Sequence, residues 1–178
     1  MAISFETQRL KVEEVAGELI VPERSVLLER VPDILTSSVV ENLPPYFHGI
    51  VSRELAEIWL DRMLSGSRLL QVKSNDNQLI GFLFAYVEDE SDAHIGYLLA
   101  EEFWGKGLAS ELLKGFITEV AKMESWSTLI GGVDRSNIAS ANLLKKLGFV
   151  EQASDESAVV FYEYKLSRLN SELSALNF

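Results

Sequence analysis

A chain of 178 residues is long enough to bury one substantial core, and the lack of cysteine excludes disulfides, zinc–thiolate sites and thiol nucleophiles. The formal net charge of −11 argues against nucleic acid as a partner, which needs a basic face, and suits a cationic partner or simple solubility. No apolar run approaches the roughly 20 residues of a membrane span and the N-terminus lacks a secretory pattern, so a cytoplasmic protein with no membrane partner is expected.

Arg9–Val15 reads as a first strand, followed by an irregular helical stretch to about Asn42. All four prolines (Pro22, Pro32, Pro44 and Pro45) fall in this least periodic part. A helix near Ser52–Leu64 is predicted to carry Leu55, Ile58, Trp59 and Met63 on one face. The pattern then turns β. Arg68–Lys73 and Gln78–Val87 flank the turn cluster Ser74-Asn75-Asp76-Asn77, and Ala93–Ala100 follows the polar turn Glu88–Asp92.

Leu108, Leu112, Phe116, Ile117, Val120 and Ala121 recur at helical spacing and predict a helix to about Met123. Thr128–Asp134 reads as a strand and Asn137–Leu147 as a second helix. Gly148, after Lys145 and Lys146, suits a helix stop. Phe149–Gln152 and Ala158–Leu166 complete the sheet, and a polar tail follows. This order gives an α/β (α+β) fold: one domain with a mixed, mostly antiparallel sheet and helices on both faces.

Two segments carry chemistry. Gly105-Lys106-Gly107-Leu108-Ala109 follows a strand and opens the long helix, where small residues let a phosphate approach unpaired amides. P-loop spacing is absent, and Ser110 stands where a dinucleotide fingerprint needs its third glycine. Alone, this is equally a tight turn without a ligand. The second segment, Asp134 to Phe149, places Ser136 or Asn137 at the helix N-cap and Ser140 on the same side as Asn137. Both also read simply as caps.

Together the two segments resemble the GNAT superfamily of N-acetyltransferases. Gly107 and Ala109 fall in register with its acyl-CoA pyrophosphate loop, Gln/Arg-x-x-Gly-x-Gly/Ala. Asn137, Ser140, Lys146, Gly148 and Phe149 match its Asn-x-x-Ser/Ala…Lys-x-Gly-Phe helix. Thr7-Gln8-Arg9-Leu10, Ile95-Gly96-Tyr97 and the Trp-Gly-Lys-Gly run at Trp104 point to the RimJ/RimL-like branch of ribosomal-protein N-terminal acetyltransferases. The resemblance is strong over Arg68–Leu166 and weak over Ala16–Ile50. Trp104 departs from the wider family's Gln or Arg. Leu144 departs from the tyrosine that in many members protonates the leaving thiolate.

The resemblance implies a single GNAT domain over 1–178. Its acceptor-side part would span about 1–66, its acyl-CoA-binding core about 67–166 and its polar tail 167–178. Acetyl-CoA would enter a V-shaped opening where Ala93–Ala100 and Thr128–Asp134, a parallel pair, splay apart. The backbone of Leu98, Leu99 and Ala100 would pair with the pantetheine arm. The amides of Gly105, Lys106, Gly107, Leu108, Ala109 and Ser110 would hold the pyrophosphate. Asn137 would contact pantetheine or remain a cap. Lys146, with Arg135 and Lys145, would reach the CoA phosphates or serve the helix dipole.

His94 lies two residues before Gly96, where the family often places a glutamate base. It is the candidate base, or else the partner of a carboxylate such as Asp92 or Glu90. Ser140 is the candidate acid, with Tyr162 and Tyr164 as rivals. Tyr46, Phe47 and His48 would build the acceptor pocket, and Glu101 and Glu102 would draw in a cationic amine or remain solvated. The implied reaction is acetyl transfer from acetyl-CoA to a primary amine by direct attack in a ternary complex, without a metal. The alternative is an acyl-CoA-binding module that does not catalyse. Monomer and homodimer both stay open.

Overall fold

The computed structural model describes residues 1–15, 19, 21–155 and 157–167. The polar tail from residue 168 onward and residues 16–18 and 20 of the irregular stretch lie outside these. Eight strands form one sheet: β1 (Ser4–Glu6), β2 (Leu10–Glu14), β3 (Arg68–Ser74), β4 (Leu79–Glu88), β5 (Asp92–Leu99), β6 (Thr128–Asp134), β7 (Val150–Glu151) and β8 (Val159–Lys165). Their spatial order is β1-β2-β3-β4-β5-β6-β8-β7. Only β5 and β6 pair in parallel among the described strands; the other ladders are antiparallel.

Two helical layers cover the sheet. On one face α1 (Val21–Ile34), α2 (Ser37–Val40) and α3 (Arg53–Gly66) enclose a core that includes Leu28, Val31, Trp59, Leu60, Phe82 and Leu98. On the other, α4 (Leu108–Met123) and α5 (Ile138–Lys146) bury Leu112, Phe116, Val120 and Leu144 against Val12, Leu83 and Leu129. No described helix is long and apolar enough to cross a membrane.

Local chemistry explains the element ends. Ser52 caps α3 by accepting the Leu55 amide at 3.2 Å. Pro22 sits in the first turn of α1, where an amide would go unpaired anyway, and Pro32 comes three residues before Leu35, near the helix end. Gly148 takes φ +102°, the left-handed stop expected after α5.

Two expectations need correction. The first strand is a hairpin, because Phe5 pairs with Val12 and β1 packs its ring against Gly115 of α4. The buried face of α3 is Ala56, Trp59, Leu60 and Met63, while Leu55 and Ile58 are exposed. Ala56, Trp59, Leu60 and Met63 centre one helical stripe; Leu55, a turn before Trp59, sits at its margin and Ile58 on the far side.

Candidate active site

The centre of the site is a ladder that stops short. Strand β5 pairs with β4 along its length, from Asp92↔Glu88 to Leu99↔Gly81, but its ladder to β6 ends at Ile95↔Gly131. Beyond that point β6 follows β8 as far as Asp134↔Val159, so β5 and β6 diverge. The Ala100 amide donates to Ile80 O at 2.8 Å. Antiparallel alternation then turns the polar backbone of Leu98 toward β4 and that of Tyr97 and Leu99 toward the opening.

The indole N–H of Trp104 donates to Leu99 O at 2.8 Å. The groups left facing the opening are therefore the Tyr97 N–H and C=O and the Leu99 N–H. This corrects the expectation for Leu98 and Ala100. Leu98 is spent on β4, and Ala100 is engaged twice, its amide on Ile80 and its carbonyl accepting from Phe103 at 2.9 Å.

At the C-terminal end of β5 the glycine turn leads into α4. Gly105 and Gly107 take φ of +72° and +75°, a left-handed conformation that disfavours any side chain. Gly107 is the N-cap of α4 and provides no side-chain cap. Among the described residues, no amide from Gly105 to Ser110 finds a protein acceptor; the first helical bond is Glu111 N to Gly107 O at 3.2 Å. Six consecutive donors and the positive end of a 16-residue helix thus face outward together.

Arg9 fixes this loop from the N-terminal hairpin. Its Nη1 donates to Lys106 O at 2.9 Å and its Nε to Glu111 Oε1 at 2.8 Å. The Arg9 amide and the Thr7 hydroxyl both donate to Glu111 Oε2. Burial alone would raise the Glu111 pKa, but the Thr7 and Arg9 bonds outweigh it and hold the carboxyl below its usual value. The Nη2 group of Arg9 lies 3.7 Å from where a Cβ on Gly107 would stand, so its remaining N–H groups border the cradle.

On the α5 side of the opening, Asn137 caps the helix by accepting the Ser140 amide at 3.3 Å. The Tyr97 hydroxyl donates to Ser140 Oγ at 3.3 Å. Burial raises the Tyr97 pKa and the Ser140 bond opposes that rise only in part, so the phenol stays protonated and acts as donor. Leu144 is buried, its methyl group packed over Gly131, where an added Cβ would come within 2.9 Å.

The opposite face of β5 borders an open groove of about 690 Å³ lined by Tyr46, Arg62, Phe84, Tyr86, Glu88 and His94, among others. His94 Nε2 lies 3.2 Å from Glu88 Oε2, so its carboxylate partner is Glu88 rather than Asp92 or Glu90. Phe84 covers Gly96, where an added Cβ would lie 2.2 Å from the ring. Tyr46 lines the groove from the 3-10 turn Pro45–Phe47. Phe47 is fully buried against Trp59 and Phe84, so it supports the groove from behind and cannot touch an acceptor. His48 is outside the lining, with Nε2 2.9 Å from Leu43 O.

The other expected cations and acids are dispersed. Lys106 lies over the Phe103 ring at 5.4 Å, beside the cradle. Lys146 is in the last turn of α5, roughly 13 Å along the axis from Asn137 at 1.5 Å per residue. Lys145 lies over Tyr162 at 6.0 Å. Arg135 folds back on Ser154, Asp155 and Ser157. Glu102 pairs with Arg30 at 3.1 Å. Tyr162 is buried and donates to Glu151, and Tyr164 packs on Phe149, so neither faces the opening.

Residues 32–150, which span the opening, the cradle and the capped helix, match the family described as Acetyltransferase (GNAT) domain. The chain belongs to the GNAT acetyltransferase family. Its fold is shared with RimL, a ribosomal-protein alpha-N-acetyltransferase solved in complex with coenzyme A, at TM-score 0.75 and 16% identity, covering 91% of this chain and 97% of that one. Spermidine N-acetyltransferase SpeG from Vibrio cholerae gives TM-score 0.70 and 16% identity over 93% and 99% of the two chains. Ribosomal-protein-S5-alanine acetyltransferase from Vibrio fischeri gives 0.66 and 17% over 93% and 97%. No curated protein matches the chain in sequence.

Within this GNAT domain, Thr7, Arg9, Tyr97 and Arg62 are the site residues that sequence reasoning did not assign. Thr7 and Arg9 carried a signal, since they belong to the Thr-x-Arg-Leu run that pointed to the branch. Tyr97 carried a like signal in the Ile95-Gly96-Tyr97 run, whereas Arg62 carried none that separates it from surface residues.

Proposed function

We propose that the chain transfers the acetyl group of acetyl-CoA to a primary amine by direct attack in a ternary complex. The observation that carries this reading is the broken β5–β6 ladder ending beside six unpartnered amides, which together suit a thioester arm and its diphosphate. The Tyr97 and Leu99 backbone would pair with the pantetheine arm, the Gly105–Ser110 amides would hold the diphosphate, and Arg9 and Lys106 would add charge at its margin.

A primary amine with a pKa of roughly 8–10 is mostly protonated at neutral pH and must lose a proton before it attacks. His94, steadied by Glu88, takes that proton from the groove side, directly or through water. The amine nitrogen then bonds the thioester carbon, a backbone N–H in the opening steadies the carbonyl oxygen, and the carbon–sulfur bond breaks. Ser140 protonates the departing thiolate and regains a proton from the Tyr97 hydroxyl bonded to it. The second proton that the attacking nitrogen sheds as the amide forms returns through water to that pair. The Ser140 oxygen already accepts from Tyr97, so its own hydrogen is free to point at the sulfur. This hydroxyl pair stands in for the tyrosine that Leu144 replaces.

Thiol release from acetyl-CoA, measured across amines and N-terminal peptides, tests the reaction. Coenzyme A binding without thiol release for any amine would instead identify a non-catalytic acyl-CoA-binding module. His94→Ala is expected to slow transfer about 100-fold at neutral pH and progressively less as the amine deprotonates unaided. A parallel pH–rate profile for wild type and variant would remove His94 as the base.

A further inference from the structure

The groove contains an arginine with nothing to neutralise it. Five other described arginines pair with carboxylates: Arg9 with Glu111, Arg24 with Asp61, Arg30 with Glu102, Arg53 with Glu29 and Arg68 with Glu14. Arg135 is satisfied by carbonyls and a serine. Among the described residues, only Arg62 has a guanidinium with neither. Its Cζ lies over the Tyr46 ring, 3.9 Å from the centroid, on the groove wall. In a chain with 27 acidic and 16 basic residues, an arginine left unpaired at that position is conspicuous.

The ring contact holds the guanidinium at one wall while its N–H groups stay without a protein acceptor, and such a fork donates two parallel bonds to a carboxylate. The groove also holds the ionisable Glu88–His94 pair, and its two serines, Ser65 and Ser67, donate their hydroxyls to carbonyls of α3. Phe84, Tyr86, Met63 and Ile95 also line it and give the groove an apolar body. An apolar groove with a free fork and a separate base fits a molecule with an amine, a carboxylate and an apolar side chain. A polyamine would instead bring a second cation toward an unneutralised one.

We propose that the acceptor is a small amino carboxylate, an apolar amino acid or dipeptide, with its carboxylate held by Arg62. The proposal rests on the acetyltransferase reading above. Initial rates with acetyl-CoA should be compared for phenylalanine, phenylalaninamide, a phenylalanyl dipeptide, its C-terminal amide, and spermidine.

Wild type is expected to favour the free acids over their amides by at least tenfold in kcat/KM. Whether the amino acid or the dipeptide leads identifies the source of the carboxylate. Arg62→Gln should raise KM for the acids tenfold to a hundredfold, leave kcat and the KM for acetyl-CoA nearly unchanged, and erase the preference over amides. Arg62→Lys should recover part of it. Equal use of acids and amides, a preference for spermidine, an equal loss on every acceptor in the variant, or no transfer to any acid while coenzyme A binds would each overturn the assignment. Failure of coenzyme A to bind would instead remove the acetyltransferase reading itself.

Discussion

Arg9 ties two distant parts of the chain with one side chain and its own amide. Losing its bond to the Lys106 carbonyl removes a charged hydrogen bond, the class worth about 1.5–3 kcal/mol, and its exposure puts the loss at the lower end. Arg9→Ala should therefore raise KM for acetyl-CoA about tenfold with little change in kcat, since the chemistry lies elsewhere. Steady-state kinetics with S-acetyl-pantetheine, which lacks the diphosphate, separate the alternatives. A penalty that persists there would show that Arg9 supports the fold generally and not the cradle.

At the scale of elements, the β4–β5 hairpin turns through Asp89 and Glu90 at φ +53° and +58°, a conformation with both central residues left-handed. Glycine bears it without steric cost, whereas glutamate pays about 1 kcal/mol. Glu90→Gly should therefore raise the melting temperature by roughly 2–4 °C in a thermal scan. An unchanged or lower value would mean that the turn does not hold these angles.

The same hairpin shows how far local signals reach. Period-two apolar runs and turn residues disclosed β3 to β6, and Thr128–Asp134 was placed to the residue, because a strand bounded by polar turns carries its limits in its own sequence. The three-residue β1 had too few positions to show a period. The glycine cradle was legible because its requirement is backbone conformation, written locally. The Arg9–Glu111 pair spans 102 positions and left no such trace. Tyr46 and Phe47 are neighbours in sequence and chemistry, yet one lines the groove and the other is fully buried, a choice made by α3 and β4 packing around them.

The whole molecule carries its acid sensitivity in a few paired carboxylates. Burial would raise the Glu14 pKa, but Arg68 and the Ile3 amide outweigh it and hold the group below 4.5, its ordinary value. Glu111 behaves likewise. With the folded pKa below the unfolded one, the unfolded chain binds more protons as pH falls. The stabilisation is complete above about pH 5.5 and drains as pH drops through 4.5 toward the folded-state value. Glu14→Gln should cost about 2 kcal/mol at pH 7 in urea unfolding, with the gap to wild type closing below about pH 4. A gap that stays constant with pH would mean the loss is one of packing.

Among the described residues, four rungs, Asp92 through Ile95 against Thr128 through Gly131, and the Ser127 amide on the Ser91 carbonyl make the main-chain seam between two half-sheets. A pantetheine arm lying further along would add stitches that the polypeptide omits and brace the halves against shearing. The scaffold would then be tautest while the arm is seated, with donor or with spent thiol alike, and letting the thiol go would mean unfastening those stitches.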